Sequence, residues 1–321
     1  MRVLDYKDIS IVPRVVSTLQ HRSEAKTNIE FCGLDLELPV IAAPMPDVCD
    51  GAMSYQMRNN GGLGIIHRFQ TIEEQIKEFL TDTHGDSICA VGVTGDWKER
   101  IDALWGVGCI RFCLDTANGA NKQVEKVISY LKDESDTGKD CYTICGNVAS
   151  YQCFKYLQEL KVDAVRCGIA GGSVCETKTE TGCYFPMFSM LQEIHLNTGF
   201  PRPAIIADGG IKSPADVCKA LIYADVVMIG GMFAACKESP GQSLKIDGKL
   251  FKVLRGAASF SVQQEFKDEP KYVEGRETLV PYGGHVSDLC QRIRYGLESS
   301  MSYNDSRTLK EFKEKVRWVE V

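Results

Sequence analysis

The chain has 321 residues, of which 44% are hydrophobic and 25% charged, with a formal net charge of −6. This is the composition of a soluble globular protein able to bury a large core. It excludes several classes: no apolar run approaches the roughly 20 residues of a membrane span, the opening MRVLDYKDIS lacks the basic-then-apolar pattern of a secretory signal, and an acidic chain without a long basic block does not suit a nucleic-acid partner. The expectation is a soluble cytoplasmic protein. Its fourteen cysteines fall singly, with no CxxC pair and no Cys/His cluster at zinc spacing, which points to reduced thiols rather than a disulfide framework or a structural zinc site.

Residues 1–37 are polar and irregular and read as an N-terminal surface arm, in which Arg22 is either a solvated charge or an anion contact. From Leu38 a rhythm sets in. LPVIAAPM, LGIIHR, SICAVGV, CIRFCLDT, CYTICGNVA, AVRCGI, AIIADGG and DVVMIGG are short apolar runs starting near residues 39, 63, 88, 109, 141, 164, 204 and 226. They alternate with helical segments such as IEEQIKEFLTD, NKQVEKVISYLKDE and SPADVCKALIYA. That alternation is the pattern of parallel βαβ units. Eight strands predict an α/β fold, a closed (β/α)8 TIM barrel, rather than an open doubly wound sheet of five or six strands. Residues 232–278 break the rhythm and read as a lid or insertion on the C-terminal face of the barrel. SDLCQRIRYGLESSM is read as the last helix. Without a linker or repeat, 1–321 is expected to be a single catalytic domain.

Barrel active sites lie at the C-terminal ends of the strands, so Met45, His67 and Arg68, Asp115 to Asn118, Asn147, Asp208 and the glycine pairs Gly209-Gly210 and Gly230-Gly231 are expected to converge. Glycine pairs after strands seven and eight suit phosphate binding on bare backbone N–H groups, or are simple tight turns. The sixth strand breaks into GIAGGSVCETKTETG, which delivers Cys175 on a glycine loop. Glycines there permit positive φ and close approach to a ligand, and such a setting favours a thiolate nucleophile. Alternatively Cys175 is one small buried hydrophobe among fourteen.

Together GGSVCETKTETG, IIADGGI, VVMIGGMFA, RGAAS and YVEGRETLVPYGGHVSDLCQRIRYGLESSMSY resemble the IMP dehydrogenase/GMP reductase family of purine nucleotide oxidoreductases, and DYKDISIVP extends the resemblance to the N-terminus. DTANGAN, Thr177 two residues after Cys175, and EGRETLVPYGG are similar to the reductase branch, whereas GGLGIIHR is similar to the dehydrogenases. No tandem regulatory (CBS) insertion separates strands two and three, and no long flap is evident between Ser259 and Glu274. The resemblance implies NADPH-dependent reductive deamination of GMP to IMP and ammonia, through a thioimidate between Cys175 and purine C2. Thr177 and Glu274 match the family's proton relay. It further implies Ser173, Asp208, Gly209, Gly210, Gly230, Gly231, Gly256, Ala257, Ala258 and Gly275 at the nucleotide. His21, Arg22, Arg68, Asp115, Thr116, Ala117 and Lys271 would lie at the NADPH. A monovalent cation, K+, is implied at Ala170, Gly172 and Cys175, and a homotetramer as the assembly. IMP dehydrogenation with NAD, action on a modified or deoxy purine nucleotide, and an inactive nucleotide sensor are the alternatives.

Four departures from the family pattern bear on specificity. Ala170 replaces a loop glycine, and a Cβ is costly at positive φ. Asp47 in MPDV is displaced by one position. Leu254 and Ala257 stand where a tyrosine and a methionine are expected, with Arg255 as the candidate to make up a lost phosphate contact. Lys271 replaces an arginine, giving up two-pronged phosphate recognition, which keeps NADH open as the cofactor.

Overall fold

The computed structural model describes residues 3–13, 15–134, 141–172, 174–266 and 275–321. Eight parallel strands close into a barrel: β1 (Val40–Ala42), β2 (Leu63–Ile66), β3 (Ile88–Val91), β4 (Arg111–Asp115), β5 (Tyr142–Val148), β6 (Ala164–Cys167), β7 (Ala204–Asp208) and β8 (Val226–Ile229). Closure comes from β8 against β1, where Ile229 pairs with Ala42. The largest offset from the expected strand starts is at β4, which begins at Arg111 rather than 109. The strands are buried along nearly their whole length, because helices cover their outer faces and side chains fill the inside.

The covering helices are α1 (Gly51–Asn59), α2 (Ile72–Phe79), α3 (Trp97–Gly106), α4 (Lys122–Ser129), α5 (Tyr151–Glu159), α6 (Met187–Asn197), α7 (Pro214–Ala220) and α8 (Val286–Tyr303). Their starts follow local chemistry. Thr71 and Glu74 form a capping box on α2, the Asn121 side chain caps α4, and Ser213 caps α7 ahead of Pro214 in its first turn. On α8 Val286, Cys290, Ile293, Leu297 and Met301 are buried at helical spacing, forming the stripe that docks it. Among the described residues no helix is long and apolar enough to cross a membrane, and all fourteen cysteines are free.

Two expectations need correction. The N-terminal arm is anchored rather than lying loose on the surface: Leu4, Tyr6, Ile9, Leu19 and Phe31 are buried, and Ile9–Ile11 pairs antiparallel with Trp318–Glu320. A hairpin of Ile29–Phe31 and Leu34–Leu36 covers the N-terminal end of the barrel, where Arg111 Nε donates to the Cys32 carbonyl at 3.0 Å. The apolar residues of this segment are buried one at a time by distant elements, so they leave no local period to read. Nor is α8 the last helix. Leu309–Lys315 follows, capped by Thr308 and burying Leu309 and Phe312.

Within the expected insertion, Ser243–Ile246, Lys249–Arg255 and Glu277–Pro281 form a three-stranded antiparallel sheet. Its middle strand runs straight into Gly256, and so brings the RGAAS segment over the C-terminal end of the barrel.

Candidate active site

A cleft of about 480 Å³ opens at the C-terminal ends of the strands, within the size range of small-molecule sites. Its apolar wall includes Met45, Phe69, Ile169 and Val174, and its polar groups include Arg68, Asp115, Asn147, Arg166, Cys175, Thr177 and Asp208.

Cys175 sits at one side of this cleft, half-buried. Its Sγ lies 3.2 Å from Thr177 Oγ1, and its N–H donates to the Gly172 carbonyl at 3.3 Å. The loop is held from three directions. Gly168, at φ 145°, brings the chain so close to β7 that a Cβ there would stand 2.0 Å from the Asp208 carbonyl oxygen, which only glycine tolerates. Cys175 bridges to Gly275, and Gly275 to Ser259, stacking the cysteine loop, the strand-leading segment and the RGAAS turn. Beyond the loop, Tyr184 donates to Asp5 at 2.5 Å and the Met187 N–H to the same carboxylate at 2.8 Å. The anchored N-terminal segment thereby fixes the far end of the cysteine loop.

Ala170 adopts φ 60°, the left-handed conformation that disfavours any residue with a Cβ. Ala170→Gly is therefore expected to stabilise the fold by about 0.5–1 kcal/mol, the relief of left-handed strain less the greater freedom of glycine in the unfolded chain. A urea midpoint that stays put or falls would show that the loop bears no such strain.

The floor of the cleft is an ionic chain. Arg166, buried on β6, donates from Nη1 to Asp115 Oδ1 at 2.7 Å and from Nε to Asp208 Oδ2 at 3.0 Å. Asn147 Nδ2 donates to that same Asp208 oxygen at 2.8 Å, and Arg68 Nε reaches Asp115 Oδ2 at 3.2 Å. Burial alone would raise the Asp115 pKa, but the charges of Arg166 and Arg68 outweigh it and hold this carboxyl below its ordinary value. All donors on Asp208 converge on Oδ2, so Oδ1 has no hydrogen-bond donor among the described residues. It is open to hydroxyl groups of a ligand.

At the end of β2, burial pushes the His67 imidazole down to about 4. Its Nδ1 accepts from the Phe69 N–H at 3.2 Å, so protonation would break a bond as well as bury a charge. The unfolded chain, with an ordinary histidine near 6.5, takes up the proton first as pH falls. Stability is therefore full above 6.5 and lost on going from 6.5 toward 4. His67 is expected to contribute a loss of about 2 kcal/mol between pH 7 and pH 5. Urea unfolding at the two pH values checks this against His67→Gln, which should show a shallower slope; an equal slope refutes it.

Of the residues singled out from sequence, the cleft brings together Arg68, Asp115, Thr116, Ala117, Ala170, Gly172, Cys175, Thr177, Asp208, Gly209, Gly256, Ala257, Ala258 and Gly275. Gly210 is not among the residues lining the cleft, and a Cβ there would stand 3.3 Å from the Tyr6 ring. Gly230 and Gly231 follow β8, where a Cβ on Gly230 would stand 3.4 Å from Met45 Sδ, without lining the cleft wall. His21 and Arg22 lie away from the cleft on the flank of α8, with the Arg22 guanidinium 4.8 Å from the Tyr295 ring centroid. Ser173, Lys271 and Glu274 fall outside the described residues. Arg255 is not free to replace a phosphate contact: it grips Asp47 through Nε and Nη2, and Glu265 through Nη1. Arg166 is a charged residue of the cleft that sequence alone does not single out.

A sequence profile of the IMP dehydrogenase / GMP reductase domain matches residues 3–321. The chain belongs to this family. Among its relatives, a protein named GMP reductase from Streptococcus equi subsp. equi is 34% identical over 313 residues, covering 96% of this chain and 92% of the relative. One of the same name from Lactobacillus delbrueckii subsp. bulgaricus is 33% identical over 319 residues, covering 98% and 93%. As a family member the chain is an oxidoreductase built on a TIM barrel, and the family's substrates are purine nucleotides. Among the described residues no group of three His, Cys, Asp or Glu side chains is placed to hold a metal.

Proposed function

We propose that this protein is a GMP reductase, converting GMP and NADPH to IMP, ammonia and NADP+. The observation that carries the reading is the Cys175–Thr177 pair, 3.2 Å apart, on the wall of the same cleft that presents the open oxygen of Asp208. The naming of the relatives as GMP reductases supports the direction of the reaction.

In this reading the ribose hydroxyls of GMP donate to Asp208 Oδ1, and the purine lies over the Cys175 loop. The backbone of Gly209, the Gly256 to Ala258 turn and Gly275 would enclose the nucleotide, whereas Ser173, Gly210, Gly230 and Gly231 are assigned to its phosphate by the family resemblance alone, none of these three glycines lining the cleft. The Cys175 thiolate adds to purine C2. The C2 amino group, a poor leaving group as an anion, departs as ammonia once protonated. Thr177 Oγ1 stands beside the sulfur to move that proton, and Glu274 takes its place in the relay from sequence alone. A bound reduced nicotinamide would supply a hydride to C2, after which the Cys175 sulfur would leave as thiolate. The cleft suits that group: Arg68 stacks on Phe69, its guanidinium 4.6 Å from the ring centroid, and pairs with Asp115 beside Thr116 and Ala117. Lys271 is assigned to the dinucleotide by the family resemblance alone. His21 and Arg22, being remote from the cleft of their own chain, fit a neighbour's cofactor in a homotetramer. A K+ ion would rest on carbonyls around Ala170, Gly172 and Cys175.

The test is direct. Purified protein with GMP should oxidise NADPH and release ammonia in equal amounts, whereas IMP with NAD should yield little NADH. The reverse result would make the chain a dehydrogenase, and nucleotide binding without turnover would leave it a sensor.

A further inference from the structure

We propose that Arg166 is a positioning residue that couples the two halves of the cleft, so that binding at Asp208 sets the geometry at Asp115 and the reverse. The inference rests on the reading above, in which Asp208 faces the nucleotide ribose and Asp115 the dinucleotide.

Arg166 is buried, with its side chain 8% exposed, and uses opposite edges of one guanidinium for two carboxylates. Nε and Nη2 address Asp208 Oδ2 at 3.0 and 2.9 Å, while Nη1 addresses Asp115 Oδ1 at 2.7 Å. The group is planar and its donors are fixed relative to one another, so Asp208 cannot rotate without moving the plane that Asp115 is bonded to. The ends are braced from outside. Asn147 ties Asp208 to the Gly168 carbonyl, donating to both at 2.8 and 2.7 Å, and Arg68 ties Asp115 to the Phe69 ring. Two arginines and two aspartates leave the chain electrically balanced, so neither carboxylate has reason to seek another cation.

Both aspartates line the cleft. A diol on Asp208 Oδ1 locks that carboxylate, through it the Arg166 plane, and through that Asp115. The second ligand then meets a carboxylate already oriented, and the ordering cost is incurred once for both. By linkage the effect must be reciprocal. A lysine at 166 would keep the charge but, as a single ammonium on a flexible stem, would not hold two carboxylates in one rigid frame.

The experiment measures GMP affinity by calorimetry, without NADP+ and with NADP+ at saturation; every protein compared, the one otherwise natural included, carries Cys175→Ala so that no thioimidate forms, and the oxidised cofactor has no hydride to give. In the natural protein NADP+ should tighten GMP binding by about five- to twentyfold. In Arg166→Lys, and independently in Asp115→Asn, that ratio should fall below about twofold. An ion pair that merely stabilises the fold would lower the unfolding temperature in both variants and leave the ratio where it was. A ratio preserved in the folded variants, or a ratio near one in the natural protein, overturns the coupling while GMP reductase activity stands. If Arg166→Lys fails to fold, Asp115→Asn decides. Failure of the natural protein to bind GMP or NADP+ would overturn both this coupling and the proposed function.

Discussion

Cys175→Ala is expected to lower the rate of NADPH oxidation with GMP by at least about 10⁴-fold, the scale seen when a covalent nucleophile is removed from an enzyme whose binding groups remain. In the proposed reading GMP binding should survive, because Asp208 and the glycine turns assigned to the nucleotide do not depend on the sulfur. Loss of turnover with retained affinity is therefore the signature to look for, read from NADPH absorbance and ammonia together. Intact-mass measurement adds a second readout. The natural protein mixed with GMP should show a fraction carrying GMP less ammonia, and Cys175→Ala should show none. If the variant keeps even a hundredth of the natural rate, the chemistry does not pass through this sulfur. Thr177 would then be bonded to a thiol with only a structural part to play.

The barrel is legible in the sequence because parallel strands buried on both faces leave runs of Val, Ile, Ala and Cys at regular intervals. At β2, β3, β6, β7 and β8 the expected and observed starts coincide at residues 63, 88, 164, 204 and 226. What is not legible is whatever depends on partners remote in the chain. Ile9–Ile11 forms a strand only because Trp318–Glu320 arrives beside it. No local pattern in a three-residue strand announces that pairing.

The site divides the same way. Cys175 and the glycines stand out in the sequence because a buried strand that breaks into several glycines at the C-terminal face brings its backbone close to a ligand or to a neighbouring strand; Thr177 enters only through the family resemblance. Arg166 is hidden in AVRC, where one charge looks like a blemish in an apolar strand. A signal is present, however. A charge in the middle of a fully buried strand needs a counter-charge, and Asp115 and Asp208 close two other strands of the same barrel. Asp47, in sequence, is only a carboxylate out of step with its family. Its mate, Arg255, lies 208 residues away, and nothing in MPDV points to it.

That pairing predicts the largest stability effect outside the core. Asp47 is 3% exposed, and its carboxylate accepts from the Arg255 main-chain N–H at 2.8 Å, from Nε at 2.9 Å and from Nη2 at 2.8 Å. It clips the end of the Lys249–Arg255 strand to the loop after β1, just before the chain turns over the cleft at Gly256. Asp47→Ala removes the acceptor for three donors at once and leaves a partly buried guanidinium with Glu265 as its remaining carboxylate among the described residues. Breaking a fully buried pair costs about 3–5 kcal/mol; with Arg255 itself partly exposed, about 2–3 kcal/mol is expected here. Asp47→Asn, which keeps the shape and one acceptor, should cost less than half of that. Urea unfolding supplies the numbers, and the nucleotide supplies the link to function. In the proposed reading the clip sets the height of the Gly256 to Ala258 turn over the purine, so KM for GMP should rise by about tenfold in Asp47→Ala, while kcat, assigned there to Cys175 and Thr177, should change less. A loss of stability below about 0.5 kcal/mol, the range of ordinary surface changes, would show that the turn is held elsewhere. A fall in kcat with KM unchanged would place Asp47 among the groups that act on the reacting purine rather than beneath the turn that covers it.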